Sequence, residues 1–274
     1  MPKKTEKTKT EEHEFEKEHL DVEKDVITEI IEEEEKQPAI LPKEEAVAKW
    51  SPKTSLGMKV VSGEITDIDQ ILDSGAKILE SNIVDTLVPG LQTDLLMVGQ
   101  SKGKFGGGAK RIFRQTQKKT PEGNKPSFSC HAVVGDLNGH VGVGSGKSKD
   151  TVPAREKALR QAKLNVFKIS RGCGSWECGC KTPHSIPFTV YGKCGSAEIY
   201  IMPAPKGKGL CIEAECGKIL KLAGVKDCWS RTFGQTVVKT NLIAACIRAL
   251  LQLTQTKVHP ETAKKLGIIE GRLV

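Results

Sequence analysis

The chain of 274 residues carries nine cysteines and a formal net charge of +8; it has no apolar run near the ~18–20 residues that span a bilayer, and its opening, MPKKTEKTKT, lacks the apolar centre of a secretory signal. This excludes a helical membrane protein as a class and points to a cytoplasmic chain with no membrane partner, whose thiols are reduced or metal-bound rather than paired in a disulfide framework. The charge is divided: residues 1–50 hold nine lysines against sixteen acidic residues, a net of −7, and the remainder holds 33 basic against 18 acidic residues, a net of +15. Such an excess calls for a polyanion, most often nucleic acid, and with only 4% aromatic residues the expected mode is recognition of RNA shape and phosphate rather than base stacking.

In chain order, residues 1–50 read as an acidic, disordered arm, with a short helix conceivable around Val22–Ile31. Residues 51–92 form a helical segment: Ile68, Ile71 and Leu72 recur at helical spacing and Gly75 ends that helix, while a second apolar stretch, Ile83–Val88, stops at Pro89-Gly90. Gly103–Lys110 is a glycine- and lysine-rich loop. A first domain, 93–170, then follows the order β-β-β-α. Its strands are Arg111–Gln117, Ser127–Gly135 and His140–Gly146, joined by turns at Thr120–Asn124 and Asp136–Gly139. On the middle strand Phe128, Cys130, Ala132 and Val134 share a face. The helix runs from Pro153 to Lys168 with Ala154, Ala158, Leu159, Ala162 and Val166 as its apolar stripe. Residues 171–187 are a Cys/His linker. A second domain, 188–255, is a β-α-β-α layer, preceded by a strand signal at Ile186–Val190. It continues with Ala197–Met202, a basic loop Pro203–Gly209, a helix Glu215–Ala223, a strand Val225–Trp229 and a helix Asn241–Gln255. Residues 256–274 are left as a tail. The fold class is α+β, built of two small α/β-type domains.

Three motifs carry candidate chemistry. Gly142-Val143-Gly144-Ser145-Gly146-Lys147-Ser148 looks like a nucleotide-binding loop, but a glycine is required five positions before Gly146 and Val141 stands there. The better reading is a glycine-rich strand end that brings Lys147 and Lys149 to phosphates beside a helix N-terminus. Gly103-Lys104-Phe105-Gly106 matches a four-residue RNA clamp in a surrounding order that is wrong for that fold. Cys173-x4-Cys178-x-Cys180-x3-His184 sets four soft or borderline donors within twelve residues. Two readings stay open there: a closed structural zinc site, or reduced thiols beside a structural His184. The remaining cysteines, Cys194, Cys211, Cys216, Cys228 and Cys246, read as small buried hydrophobes. Cys130 and His131 are neighbours on a strand and face opposite sides, so they form no dyad. No catalytic constellation is found, and the chain is expected not to be an enzyme.

Ordered motifs then carry a resemblance. Gly135-Asp136-x-Asn138-Gly139-His140-Val141-Gly142-x-Gly144 leads to Arg171-Gly172-Cys173-Gly174-Ser175-Trp176-Glu177-Cys178-Gly179-Cys180 and Pro183-His184-Ser185-Ile186-Pro187. These are followed by Gly192-Lys193-Cys194-Gly195-Ser196, Pro203-Ala204-Pro205-x-Gly207-x-Gly209, Ala223-Gly224-Val225-Lys226-Asp227 and Gly234-Gln235-Thr236. Over roughly residues 65–255 the chain resembles the universal small-subunit ribosomal protein five family, in its archaeal form. The resemblance implies a first domain similar to the double-stranded-RNA-binding fold and a second of a small α/β fold. It implies binding of small-subunit ribosomal RNA near the central pseudoknot, neighbouring ribosomal proteins where messenger RNA enters, messenger RNA nearby, and support of decoding accuracy. The loop Lys118–Lys125 matches the family hairpin that reaches into RNA. The Cys/His segment matches the archaeal branch, the bacterial and eukaryotic branches lacking these cysteines, so zinc is not a general family trait; a structural Zn2+ on Cys173, Cys178, Cys180 and His184 stays an open expectation from their spacing. The residues expected to neutralise phosphates are Lys102, Lys104, Lys110, Arg111, Arg114, Lys118, Lys119, Lys125, Lys147, Lys149, Arg155, Arg171, Lys206 and Lys208. Two other readings are a free-standing regulator binding double-stranded RNA, which co-sedimentation with small subunits decides, and an RNA-acting metalloenzyme, which would need an open metal position or a general base.

Overall fold

The computed structural model describes residues 50–101 and 110–272. The acidic arm, its short helix, Lys102, Lys104 and the Gly103–Gly106 motif lie outside the described residues. The described elements begin with helices α1 (Ser55–Val61), α2 (Ile68–Asp73) and α3 (Ser81–Leu87). A five-stranded sheet follows, built from β1 (Gln92–Leu96), β2 (Arg114–Thr120), β3 (Gly123–Gly135), β4 (His140–Ser148) and β5 (Val166–Lys168), with helix α4 (Thr151–Leu164) crossing between β4 and β5. Both β1 and β2 pair antiparallel with the long strand β3. β2 lies along its first half, from Arg114↔Ser129 to Thr120↔Gly123, and β1 along its second half, from Gln92↔Gly135 to Leu96↔His131.

Alternation along β3 decides what each face of this sheet does. Cys130, Ala132 and Val134 face α4 and pack with Ile71, Ile83 and Val84 of the N-terminal helices. Val133, with Val141 of β4 and Leu96 of β1, belongs to the other face and joins a second apolar cluster with Ile219, Leu222 and Ala223 from the C-terminal half. The two halves therefore share a core.

The glycines of β4 answer to α4. A Cβ built on Gly142 would lie 2.3 Å from the Ala162 carbonyl oxygen, on Gly144 2.2 Å from the Ala162 nitrogen, and on Gly146 2.1 Å from the Ala154 carbonyl oxygen. Ala154, Ala158 and Ala162, one helical turn apart, are fully buried against them. The G-x-G-x-G pattern is thus a close-packing seam between strand and helix. α4 also ends earlier than its periodicity implies, at Leu164; Val166 continues the apolar stripe but belongs to β5, paired with Gly142.

The second sheet has the order β7 (Val190–Cys194), β8 (Ala197–Pro203), β10 (Cys228–Phe233), β9 (Leu210–Cys211), antiparallel except for β10–β9. Helices α5 (Ala214–Leu222) and α6 (Lys239–Gln255) supply its apolar cover, including Ile219, Leu220, Leu242, Leu250 and Leu253. Two strands are displaced from their expected positions. Pro187 cannot donate to a ladder, so the first begins at Val190; the last runs on to Phe233 because β8 offers partners as far as Glu198. The stretch expected to be a tail folds as helix α7 (Pro260–Leu266) and strand β11 (Ile269–Glu270), which pairs with β6 (Ser170–Arg171) in the linker.

One buried knot holds the N-terminal helices to this body. Within the β3–β4 turn, Asp136 Oδ1 accepts from the backbone nitrogens of Asn138 (2.7 Å) and His140 (3.0 Å), and Leu137 adopts a positive φ of 63°. The His140 ring, 1% exposed, contacts Asp136 Oδ2 at 2.6 Å through Nδ1 and Asp69 Oδ1 of α2 at 2.8 Å through Nε2. Burial opposes the charged ring, but the hydrogen bonds and charges of Asp136 and Asp69 outweigh it and raise the His140 pKa above 6.5. Arg171 is in the same knot. Instead of standing at a phosphate it is 3% exposed, and its guanidinium donates to the carbonyls of Leu137 (3.3 Å) and Gly271 (3.2 Å).

Two outcomes follow from this packing. Gly144→Ala should destabilise the full chain by about 1–3 kcal/mol in urea unfolding, since backbone atoms cannot yield to the new methyl, whereas Gly90→Ala, whose Cβ would meet nothing within 4 Å, should stay within about 0.5 kcal/mol. Because the folded pKa of His140 is raised, its contribution is complete below pH 6.5 and is lost as pH rises through the folded value. Unfolding midpoints should therefore fall as pH rises above 6.5, and Asp69→Asn should flatten that fall while lowering stability at pH 6.

Candidate nucleic-acid interface

The β2–β3 hairpin leaves the body of the sheet. β4 pairs with β3 only from Phe128 onward, so the hairpin from Thr116 to Ser127 is a two-stranded ribbon without a third strand. Arg114–Lys119 and Pro121–Pro126 are exposed on it. A bare two-stranded ribbon is marginal in water, and this one sets Lys118 directly opposite Lys125. Like charges so placed repel each other. The one ion pair at the tip, Lys125 to Glu122 at 3.2 Å, is solvent-exposed and weak.

Register extends this basic edge across the sheet. Arg114 lies opposite Ser129, and Ser129 lies opposite Lys147. Paired residues share a face, and alternate residues along a strand return to it. Arg114, Lys118, Lys125 and Lys147 therefore stand on one face: the face whose other end, at Val133 and Val141, joins the apolar cluster containing Ile219 and Leu222 of α5. Lys147 thus points away from α4, and the glycines beside it serve the helix contact rather than an approach to phosphate. Lys119 falls on the opposite side of the ribbon. Arg111, Lys149 and Arg155 are exposed, and Lys110 is half-buried with Nζ donating to the Val237 carbonyl at 3.4 Å.

The Cys/His segment folds into a cluster: one donor atom each from Cys173, Cys178, Cys180 and His184 lie within 4.8 Å of one another. Its wall is built from distant parts of the chain. The Cys173 nitrogen donates to the Leu266 carbonyl at 2.9 Å, so α7 closes one side. His184 Nδ1 meets Asp227 Oδ2 at 2.8 Å, which leaves Nε2 facing the thiols, 3.9 Å from Cys178 Sγ. The other carboxylate oxygen of Asp227 accepts from the backbone nitrogens of Gly207 (3.0 Å) and Gly209 (2.8 Å). One carboxylate thereby orients the histidine and anchors the loop that carries exposed Lys206 and Lys208. Burial and the neighbouring Cys180 and Cys178 push the Cys173 thiol up to about 11, whereas hydrogen bonds from Thr182 draw Cys180 down to about 6. Asp227 was invisible to sequence reasoning, because nothing in its neighbourhood links it to His184, 43 positions away. Of the other cysteines, Cys216, Cys228 and Cys246 are buried as expected of small hydrophobes, Cys194 is half-buried, and Cys211 is exposed, which corrects its reading; Cys130 is buried as well.

The families described as Ribosomal protein S5, N-terminal domain, and Ribosomal protein S5, C-terminal domain, match residues 112–170 and 192–265. Small ribosomal subunit protein uS5 of Nanoarchaeum equitans is 47% identical over 228 residues, which cover 83% of this chain and 98% of that protein. The chain belongs to the ribosomal protein S5 family. The same protein of Methanocaldococcus jannaschii is 46% identical over 83% of this chain and 98% of its own length, and that of Staphylothermus marinus 44% identical over 75% and 89%. The resemblance read from the ordered motifs is therefore correct, as is the α+β class. The two matched segments fall on the β2–β5 sheet with α4, and on the β7–β10 sheet with α5 and α6.

Proposed function

We propose that this chain is a structural constituent of the small ribosomal subunit that neutralises ribosomal RNA phosphates and catalyses no reaction. The observation that carries the RNA-facing part is the register that gathers Arg114, Lys118, Lys125 and Lys147 on one uncovered face. The Lys118–Lys125 repulsion that destabilises the free hairpin becomes favourable once phosphates lie between them. Arg111, Lys149, Arg155, Lys206 and Lys208 are exposed and add to the basic surface. The place near the central pseudoknot, beside neighbouring ribosomal proteins and the messenger path, is what membership of the family leads us to infer. A support of decoding accuracy would act through rigid placement of the hairpin.

The test is rebinding of the full chain to small subunits depleted of it. Near-stoichiometric co-sedimentation is expected. If about six to ten phosphates are contacted, affinity should fall about 10³–10⁵-fold between 50 and 200 mM salt, and Lys118→Gln should reduce the slope of log K against log salt by about 1. Failure to co-sediment, or salt-insensitive binding, would refute the proposal.

We also propose a structural zinc ion on Cys173, Cys178, Cys180 and His184. A tetrahedral zinc with Zn–S bonds of ~2.3 Å spaces its sulfurs roughly 3.8 Å apart, so donors within 4.8 Å of one another need only a small contraction. The His184–Asp227 contact is the carboxylate support that metal-bound histidines ordinarily have. Four protein donors would leave no position for substrate, so the ion would hold the loop and do no chemistry. Metal analysis of the purified chain should give about one zinc per molecule, reduced to a small fraction by Cys178→Ser; zinc absent from the wild type would refute this reading.

A further inference from the structure

One side chain on the Cys/His loop is not explained by folding or by charge. Trp176 is 90% exposed. Its loop is nonetheless fixed. The Cys178 nitrogen donates to the Ser175 carbonyl at 3.3 Å, the Glu177 nitrogen meets Ser175 Oγ at 3.4 Å, and Cys173 Sγ reaches the Cys178 carbonyl at 3.0 Å. Gly174 lies so close to the segment before β7 that a Cβ there would stand 2.0 Å from the Pro187 carbonyl oxygen. A large apolar ring is thus held out into water by a braced turn, forgoing the burial that rings of this size ordinarily obtain.

Its surroundings state the kind of partner. Lys181 follows Cys180. Asp227 and His184 tie the cluster to the loop of Lys206 and Lys208, and the Lys226 nitrogen donates to the His184 carbonyl at 2.9 Å. These four lysines are exposed, against a single carboxylate, Glu177, on the Trp176 turn. A protein surface that would cover an indole in such company must itself be acidic, whereas a nucleotide offers both complements together, a π-face for the ring and phosphate for the lysines. Phe233, the other exposed aromatic ring among the described residues, already has the Arg231 guanidinium 4.9 Å from its centroid, which leaves Trp176 as the open platform.

We propose that Trp176 stacks on an unpaired base of the RNA that the lysines of the cluster and its attached loops hold by its phosphates. This rests on the RNA-binding reading above and adds to it a base contact that low aromatic content had argued against. Stacking releases no counterions, so it is separable from phosphate contacts by salt. The experiment is binding of the full chain to small subunits depleted of it, across a salt series. Trp176→Ala should weaken binding about 5- to 150-fold at every salt concentration with the salt slope unchanged. Trp176→Phe should retain most of the affinity and Trp176→Leu should not, a comparison that separates a π-face from mere apolar bulk should the alanine variant fold poorly. Equal affinities for Phe and Leu variants, or an alanine variant within twofold of wild type, would overturn the proposal. So would unchanged RNA binding accompanied by loss of a neighbouring protein from the subunit, since that would make the partner a protein. A wild-type chain that itself shows no salt-dependent binding would instead refute the underlying reading.

Discussion

The contact between β4 and α4 sets the rest of the molecule. Three glycines and three alanines let a helix backbone lie directly on a strand, with no side chain between them. At β4 one face of the sheet is thereby closed by small residues, while the bulky apolar residues at Val133, Val141 and Leu96 face the other way and share a core with the C-terminal half. That second cover reaches only part of the sheet. Where it stops, the same face continues as Arg114, Lys118, Lys125 and Lys147. A single alternating strand pattern thus divides into a joint between two halves and a cationic surface, and the close helix contact makes this division rigid.

Much of this was legible, and what was not has identifiable causes. β3, β4, α5 and α6 are long and periodic, and their positions follow from apolar alternation or helical spacing. β1 has five residues and no turn chemistry of its own; it exists because β3 is long enough to offer a second partner. The end of α4 was overrun because Val166 satisfies both a helical stripe and a strand edge. Gly142, Gly144 and Gly146 advertise phosphate chemistry in sequence and serve packing in space. Arg171 is the clearest case among the site residues. In sequence it is one cation among many, and only the meeting of a turn, a linker strand and residue 271 makes it a structural donor.

The Cys/His segment shows the complementary situation. Its four donors are close in sequence, so their spacing announces a cluster. Its supports are not: Asp227 and Leu266 reach it from the residue before β10 and from the end of α7. Local spacing can nominate such donors, but their orientation is a tertiary property. The same holds for Trp176, whose exposure depends on a turn that packs Gly174 against Pro187.

The return of β11 to β6 has a consequence for the order in which the protein can be completed. Cys173 needs the Leu266 carbonyl, and Arg171 needs that of Gly271. During synthesis the linker emerges well before either acceptor, so both sheets can form while the joint between them still lacks its hydrogen-bond partners. The contact of Arg171 with Gly271 then acts as a latch set by late-made chain. A nascent molecule stopped short of residue 271 would carry its basic hairpin on a body whose linker still lacks one or both of these hydrogen-bond acceptors.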